Sequence, residues 1–167
     1  MLTTELSNTA RPQIILENIF DATTAEAALV KKGVAYINQI ASSSCFKDAI
    51  FVKRFTETGG KTNQDIWDTL VSRPYAVNVK IYTGTWIANH FYHTIGKTDA
   101  SEKSATIKVN RQFVRTAYDF GNNLMHEVFG HIAGFRHDRI KATSVPYQLN
   151  DIYADCALKL GIPLPSR

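Results

Sequence analysis

Two histidines five residues apart on one predicted helix constrain this chain more than any other feature of it. The residues from Asn122 read NNLMHEVFGHIAGFRHD, which places His126 and His131 on the helix and His137 just beyond it. In a regular α-helix a five-residue step carries a side chain through about 500°, roughly 140° out of line; a four-residue step leaves it only about 40° out of line. His126 and His131 can therefore address one point only if the helix carries a π-bulge, which absorbs one residue. Gly130 sits where that bulge is needed, and its missing Cβ eases the distortion. A bulge is predicted between Val128 and His131. A regular helix would instead put Glu127 and His131 at i, i+4 as paired ligands, with His126 displaced.

The residue types match the needs of a metal centre with an open position. Neutral imidazoles from His126, His131 and His137 can hold a cation such as Zn2+ and leave a fourth position for water, whose pKa then falls towards 7. Glu127, beside the first histidine, is placed to take a proton from that water and pass it on. Gly134 lets the chain turn off the helix and return His137 to the site. Asp138, Asp151 and Asp155 are candidate partners for the outer ring nitrogens, and Asp151 or Asp155 is a candidate carboxylate ligand if His137 is not one.

This string resembles the metzincin zinc-peptidase signature H-E-x-x-H-x-x-G-x-x-H. His131, Gly134 and His137 hold its second half residue by residue, while the first half carries one inserted residue. Locally HEVFGH is similar to the H-E-x-x-G-H variant of the dipeptidyl peptidase III family. The resemblance implies a zincin-like α+β fold, Zn2+ as cofactor, a peptide or protein substrate, His126, His131 and His137 as metal ligands, and Glu127 as general base. Metzincins also carry a methionine in a turn beneath the metal, and here no Met follows Met125. Pro146, within Thr143-Ser144-Val145-Pro146-Tyr147, is the candidate for an equivalent turn. Tyr147 then resembles the tyrosine that follows the turn in the astacin and serralysin families, which implies a phenol able to stabilise an oxyanion; packing at the start of the last helix is the other reading. The resemblance also implies that extended substrate pairs with the sheet edge before the site helix, a role open to residues 77–83 or 105–110. A non-peptidase zinc amidase or cell-wall hydrolase, and a silent zinc-stabilised binding module, are the rival functions.

Along the rest of the chain, residues 1–20 read as an irregular lead-in. A helix is predicted over about residues 24–43, capped by Asp21 or Thr23. A strand over 46–55, a short helix over 63–72, and strands around Val77–Val79–Ile81 and over 105–110 follow. The histidine-bearing helix spans about 119–133, with Asp119 or Asn122 as its cap. A last helix covers about 148–160. This is an α+β pattern, a small mixed sheet backed by helices, and 1–167 reads as one domain.

Composition narrows the remaining options. The formal charge of +4, from 19 basic and 15 acidic residues, is spread without a basic run, which argues against nucleic-acid binding. Residues 1–12 lack the apolar core of a signal peptide, and no stretch approaches the about 18 apolar residues of a membrane span. Synthesis in the cytoplasm, a monomeric state and free, buried Cys45 and Cys156 are the corresponding expectations. No G-x-S-x-G or phosphate-binding glycine loop is present. His90 and His93, flanking Phe91-Tyr92, form a weaker pair in an aromatic connection that also holds Tyr82 and Trp86. Arg136, Arg139 and Lys141 are basic residues near the third histidine that would favour an acidic substrate, or simply solvate a loop.

Overall fold

The computed structural model describes residues 10–56, 58–85, 96–99, 105–137 and 141–165, and the side chains of all of these except 96–99 and 141. The fold is α+β. In chain order the elements are β1 (Ile14–Phe20), α1 (Thr24–Ala41), α2 (Ser44–Val52), α3 (Asn63–Val71), β2 (Tyr75–Tyr82), β3 (Gly96–Asp99), β4 (Ala105–Asn110), α4 (Ala117–Leu124), a π-helix (Met125–Ile132), a 3-10 turn (Lys141–Thr143) and α5 (Val145–Lys159).

The sheet order is β1-β2-β4-β3. β1, β2 and β4 run parallel, with Ile14 opposite Tyr75 and Val77 opposite Ala105, and β3 closes one edge antiparallel to β4. The expected irregular lead-in is corrected here, because residues 14–20 form an edge strand. Its hydrogen-bonding partner lies far along the chain, so nothing local announces it. Asn38 of α1 binds the start of this edge, accepting from Ile14 N–H at 2.8 Å and donating to Ile14 C=O at 2.9 Å. Both strands proposed as the substrate edge, 77–83 and 105–110, are interior; the edge beyond β4 is β3.

A second correction concerns residues 46–55, which were expected to be a strand. Residues 44–52 are α2, with the Ser43 hydroxyl accepting from Phe46 N–H, and with Phe46 and Ile50 buried one helical turn apart. α1 and α3 start with capping boxes, at Thr23–Glu26 and Thr62–Asp65.

The core is continuous from the sheet through the helices. Phe46 of α2 lies 6.4 Å from Phe129 of the π-helix, which meets Tyr75 of β2 edge-on at 5.5 Å. Burying each such ring is worth about 1.5–3 kcal/mol, so α2, the π-helix and the sheet are held as one unit. α1 crosses α4 at Gly33, where an added Cβ would sit 2.8 Å from Phe120 Cβ and 2.9 Å from Ala117 O.

Because residues 44–52 are helical, Cys45 faces α5, and Cys45 and Cys156 form a disulfide with a Cα–Cα distance of 5.8 Å. The free thiols expected from sequence are therefore paired. No helix among the described residues is long and apolar enough to cross a membrane.

Candidate metal centre

The site begins with a cap. Thr116 accepts from Asp119 N–H, and the Asp119 carboxylate accepts from Thr116 N–H, so a capping box starts α4. Asp119 thus sits at the third helical position; neither it nor Asn122 is the cap residue. α4 then runs straight into the π-helix, and the distortion foreseen between Val128 and His131 extends over all of Met125–Ile132. Its five-residue bonds continue past its end, from Ala133 N–H to Val128 O (3.0 Å) and from Phe135 N–H to Gly130 O (2.9 Å). A five-residue step in this geometry closes about one turn, so His126 and His131 fall on one face.

Gly130 is needed for a different reason from the one read in the sequence. A Cβ there would lie 2.8 Å from Pro146 Cβ, so the missing side chain lets the first turn of α5 lie against the π-helix. Gly134 does act as foreseen. At φ +97° it adopts a conformation that residues with a Cβ rarely take, and its N–H binds His131 O at 2.9 Å. The chain reverses there and brings back His137.

The three imidazoles converge. His137 Nε2 lies 2.9 Å from His126 Nε2 and 3.1 Å from His131 Nε2. The outer nitrogens fix the protonation pattern. Asn150 donates its amide hydrogens to Asn122 O (2.7 Å) and Oδ1 (2.8 Å), which leaves Asn150 Oδ1 to accept from His126 Nδ1 at 2.7 Å. His131 Nδ1 faces the Phe135 carbonyl at 3.1 Å, and a carbonyl can only accept. Both rings therefore carry their proton on Nδ1 and aim Nε2 lone pairs inward. Burial of the His126 ring lowers its pKa, an effect opposed by the Asn150 bond and reinforced by nearby His131, so the neutral form is favoured.

This donor set fits a cation. His137 Nε2 can offer at most one proton to two facing lone pairs. A tetrahedral ion with bonds of about 2.0–2.1 Å would separate its ligand nitrogens by about 3.3 Å, close to the spacing found. His126, His131 and His137 lie close enough to bind a metal ion, with their nitrogens all within 4.8 Å of one another. Among the described residues, Glu127, Asp151 and Asp155 are not part of that cluster. The arrangement with Glu127 as ligand and His126 displaced is thus not the one adopted.

Glu127 is buried, 5% exposed, and its charge acts on Tyr82 at the end of β2, whose phenol is pushed up by burial and by this carboxylate. Tyr147 packs on two of these histidines, its ring 4.9 Å from that of His126 and 5.1 Å from that of His137. It follows Pro146 in the first turn of α5, which starts at Val145 and not near 148. Asp151 and Asp155 are exposed; the outer partner of His126 is Asn150, which sequence reasoning missed. The signal was its place on α5, three residues after Tyr147 and so on the same helical face. Arg136 is exposed. His90, His93, Phe91, Tyr92, Trp86, Asp138 and Arg139, and the Lys141 side chain, lie outside the described residues.

Comparison of the chain with protein-family models, with curated proteins and with solved structures finds no match.

Proposed function

We propose that this chain is a zinc-dependent peptidase of metzincin-like design, cleaving peptide bonds in a peptide or protein substrate. The observation that carries the reading is the convergence of His126, His131 and His137 through Nε2, with two of the rings oriented from behind by Asn150 and the Phe135 carbonyl. Zinc suits three neutral imidazoles, and when bound it would supply Lewis acidity and an acidified water.

The rest of the chemistry belongs to the chain. Glu127 follows His126 directly and takes the proton of the attacking water, then returns it to the leaving amine. Its burial limits competition from bulk water. The Tyr147 phenol donates a hydrogen bond to the oxyanion that develops on the scissile carbonyl. Extended substrate adds antiparallel to β3, an edge strand among the described residues, which contacts the π-helix.

The test is Glu127→Gln, assayed for zinc content and for hydrolysis of a peptide library alongside amide and cell-wall substrates. Bound zinc with hydrolysis reduced by about 10²-fold or more is the expected result. Unimpaired turnover would remove Glu127 from the mechanism, and activity confined to non-peptide amides would replace the substrate class.

A further inference from the structure

The helix that supports the metal cluster is pinned at two places to one neighbouring segment. α5 carries Pro146 against Gly130, Tyr147 against the rings of His126 and His137, and Asn150 on His126 Nδ1. Just before α5, Thr143 is bound by Thr56, which lies a few residues after α2: Thr56 N–H donates to Thr143 O at 3.0 Å, and the two hydroxyls meet at 2.7 Å. Towards its other end α5 is tied to α2 covalently, through Cys156 and Cys45. α2 in turn lies against the π-helix through Phe46 and Phe129, 6.4 Å apart. The loop thus runs from ligand helix to α5 to α2 and back to the ligand helix, and the disulfide is its one covalent closure.

We propose that the Cys45–Cys156 disulfide is a redox latch on the metal centre, holding the His126-supporting face of α5 against the π-helix so that metal is bound tightly only when the disulfide is formed. This rests on the metal-centre reading above. Six residues of helix, about 9 Å, separate Cys156 from Asn150, so rotation or withdrawal of α5 at the cysteine is passed to Asn150 as a rigid-body movement. Metal ligation by His126 depends on the Asn150 acceptor for ring orientation, and loss of such a partner typically weakens metal binding 10- to 100-fold.

The chemistry of release is thiol–disulfide exchange with a dithiol reductant. Cys45 is partly exposed and Cys156 is fully buried, so the reductant's thiolate reaches the bond at Cys45. It forms a mixed disulfide there and expels the Cys156 thiolate. The second thiol of the reductant then displaces Cys45 and closes its own disulfide. Two electrons pass from the dithiol to the cysteines, and its two protons end on them. Reducing compartments keep thiols in this form and oxidising ones favour the disulfide. A metal centre latched in this way is silent where the cytosol is reducing and becomes competent after transfer to an oxidising space.

The experiment is a zinc titration of the full chain against a chromophoric chelator. It compares the oxidised protein, the protein reduced with a phosphine and desalted under anaerobic conditions, and the pairs Cys45→Ala/Cys156→Ala and Cys45→Ala/Cys156→Val. The second pair refills the space at buried Cys156, and near-UV circular dichroism reports packing in each sample. Affinity lowered about 10-fold or more in the reduced protein and in the refilled pair supports the latch. Equal affinity in the refilled pair overturns it, even where the reduced protein has lost its fold. Oxidised His126→Ala is run in parallel. If that variant binds zinc as tightly as the parent, the metal centre itself is wrongly assigned, an outcome distinct from failure of the latch.

Discussion

Asn150 accepts a 2.7 Å hydrogen bond from His126 Nδ1 while its own amide hydrogens are committed to Asn122, one helical turn before that histidine. The amide is therefore locked in one orientation, and it in turn locks the ring. Asn150→Ala is expected to weaken zinc binding about 10- to 100-fold with the fold retained. Competition with a chromophoric chelator measures it, and unchanged affinity would show that the ring orients without Asn150.

The contact between Gly130 and Pro146 supplies a steric test. Gly130→Ala places a methyl 2.8 Å from Pro146 Cβ, and relieving the clash should cost about 1–3 kcal/mol in urea unfolding. Pro146→Gly removes both the Cβ at 2.8 Å and the ring atom at 3.0 Å and should recover part of that loss, giving a coupling energy of about 0.5 kcal/mol or more. Strict additivity in the double-mutant cycle would mean that the two residues do not press on one another.

Tyr147 separates packing from chemistry. Tyr147→Phe keeps the ring against His126 and His137 and removes only the hydroxyl. Zinc affinity should stay within a few-fold, while kcat falls by about 10²- to 10³-fold if the phenol serves the oxyanion. A fall in zinc affinity with kcat preserved would assign the residue to ring packing alone.

Metal binding should stabilise the folded chain by mass action. At zinc concentrations 100-fold above Kd the gain is about 2.7 kcal/mol, seen as a rise in Tm that a chelator reverses. His137→Ala removes an exposed member of the cluster outside the core and should abolish most of the rise without lowering the Tm of the metal-free protein. A full zinc-induced rise in that variant would place the ion elsewhere.

The histidine cluster could be read from the chain because its demand is local. A five-residue step from His126 to His131 is incompatible with one face of an α-helix, and Gly134 reverses the chain at the required place. What stayed hidden depended on distant partners. β1 is a strand because Ile14–Phe20 meets Tyr75–Tyr82, which no window around residue 14 contains. The apolar run CFKDAIFV suits either element; Ser43 as a cap, with Phe46 and Ile50 at i, i+4, decided for a helix. That choice in turn aligned Cys45 with Cys156. Asn150, already inside the predicted last helix, escaped notice because its role depends on Asn122 and His126, more than twenty residues away along the chain.

The π-helix also changes what counts as a fixed dimension in such a site. Because the surplus residue is taken up within Met125–Ile132, the helix on one side and the turn at Gly134 on the other are joined without a shift in register. A π-bulge absorbs one residue inside a helix, so a five-residue spacing here plays the part of a four-residue spacing in a regular one. Chains whose first two histidines stand four or five apart can then carry superimposable imidazoles. Ancestry between such chains is better sought in the positions of ring nitrogens than in the count of letters between them.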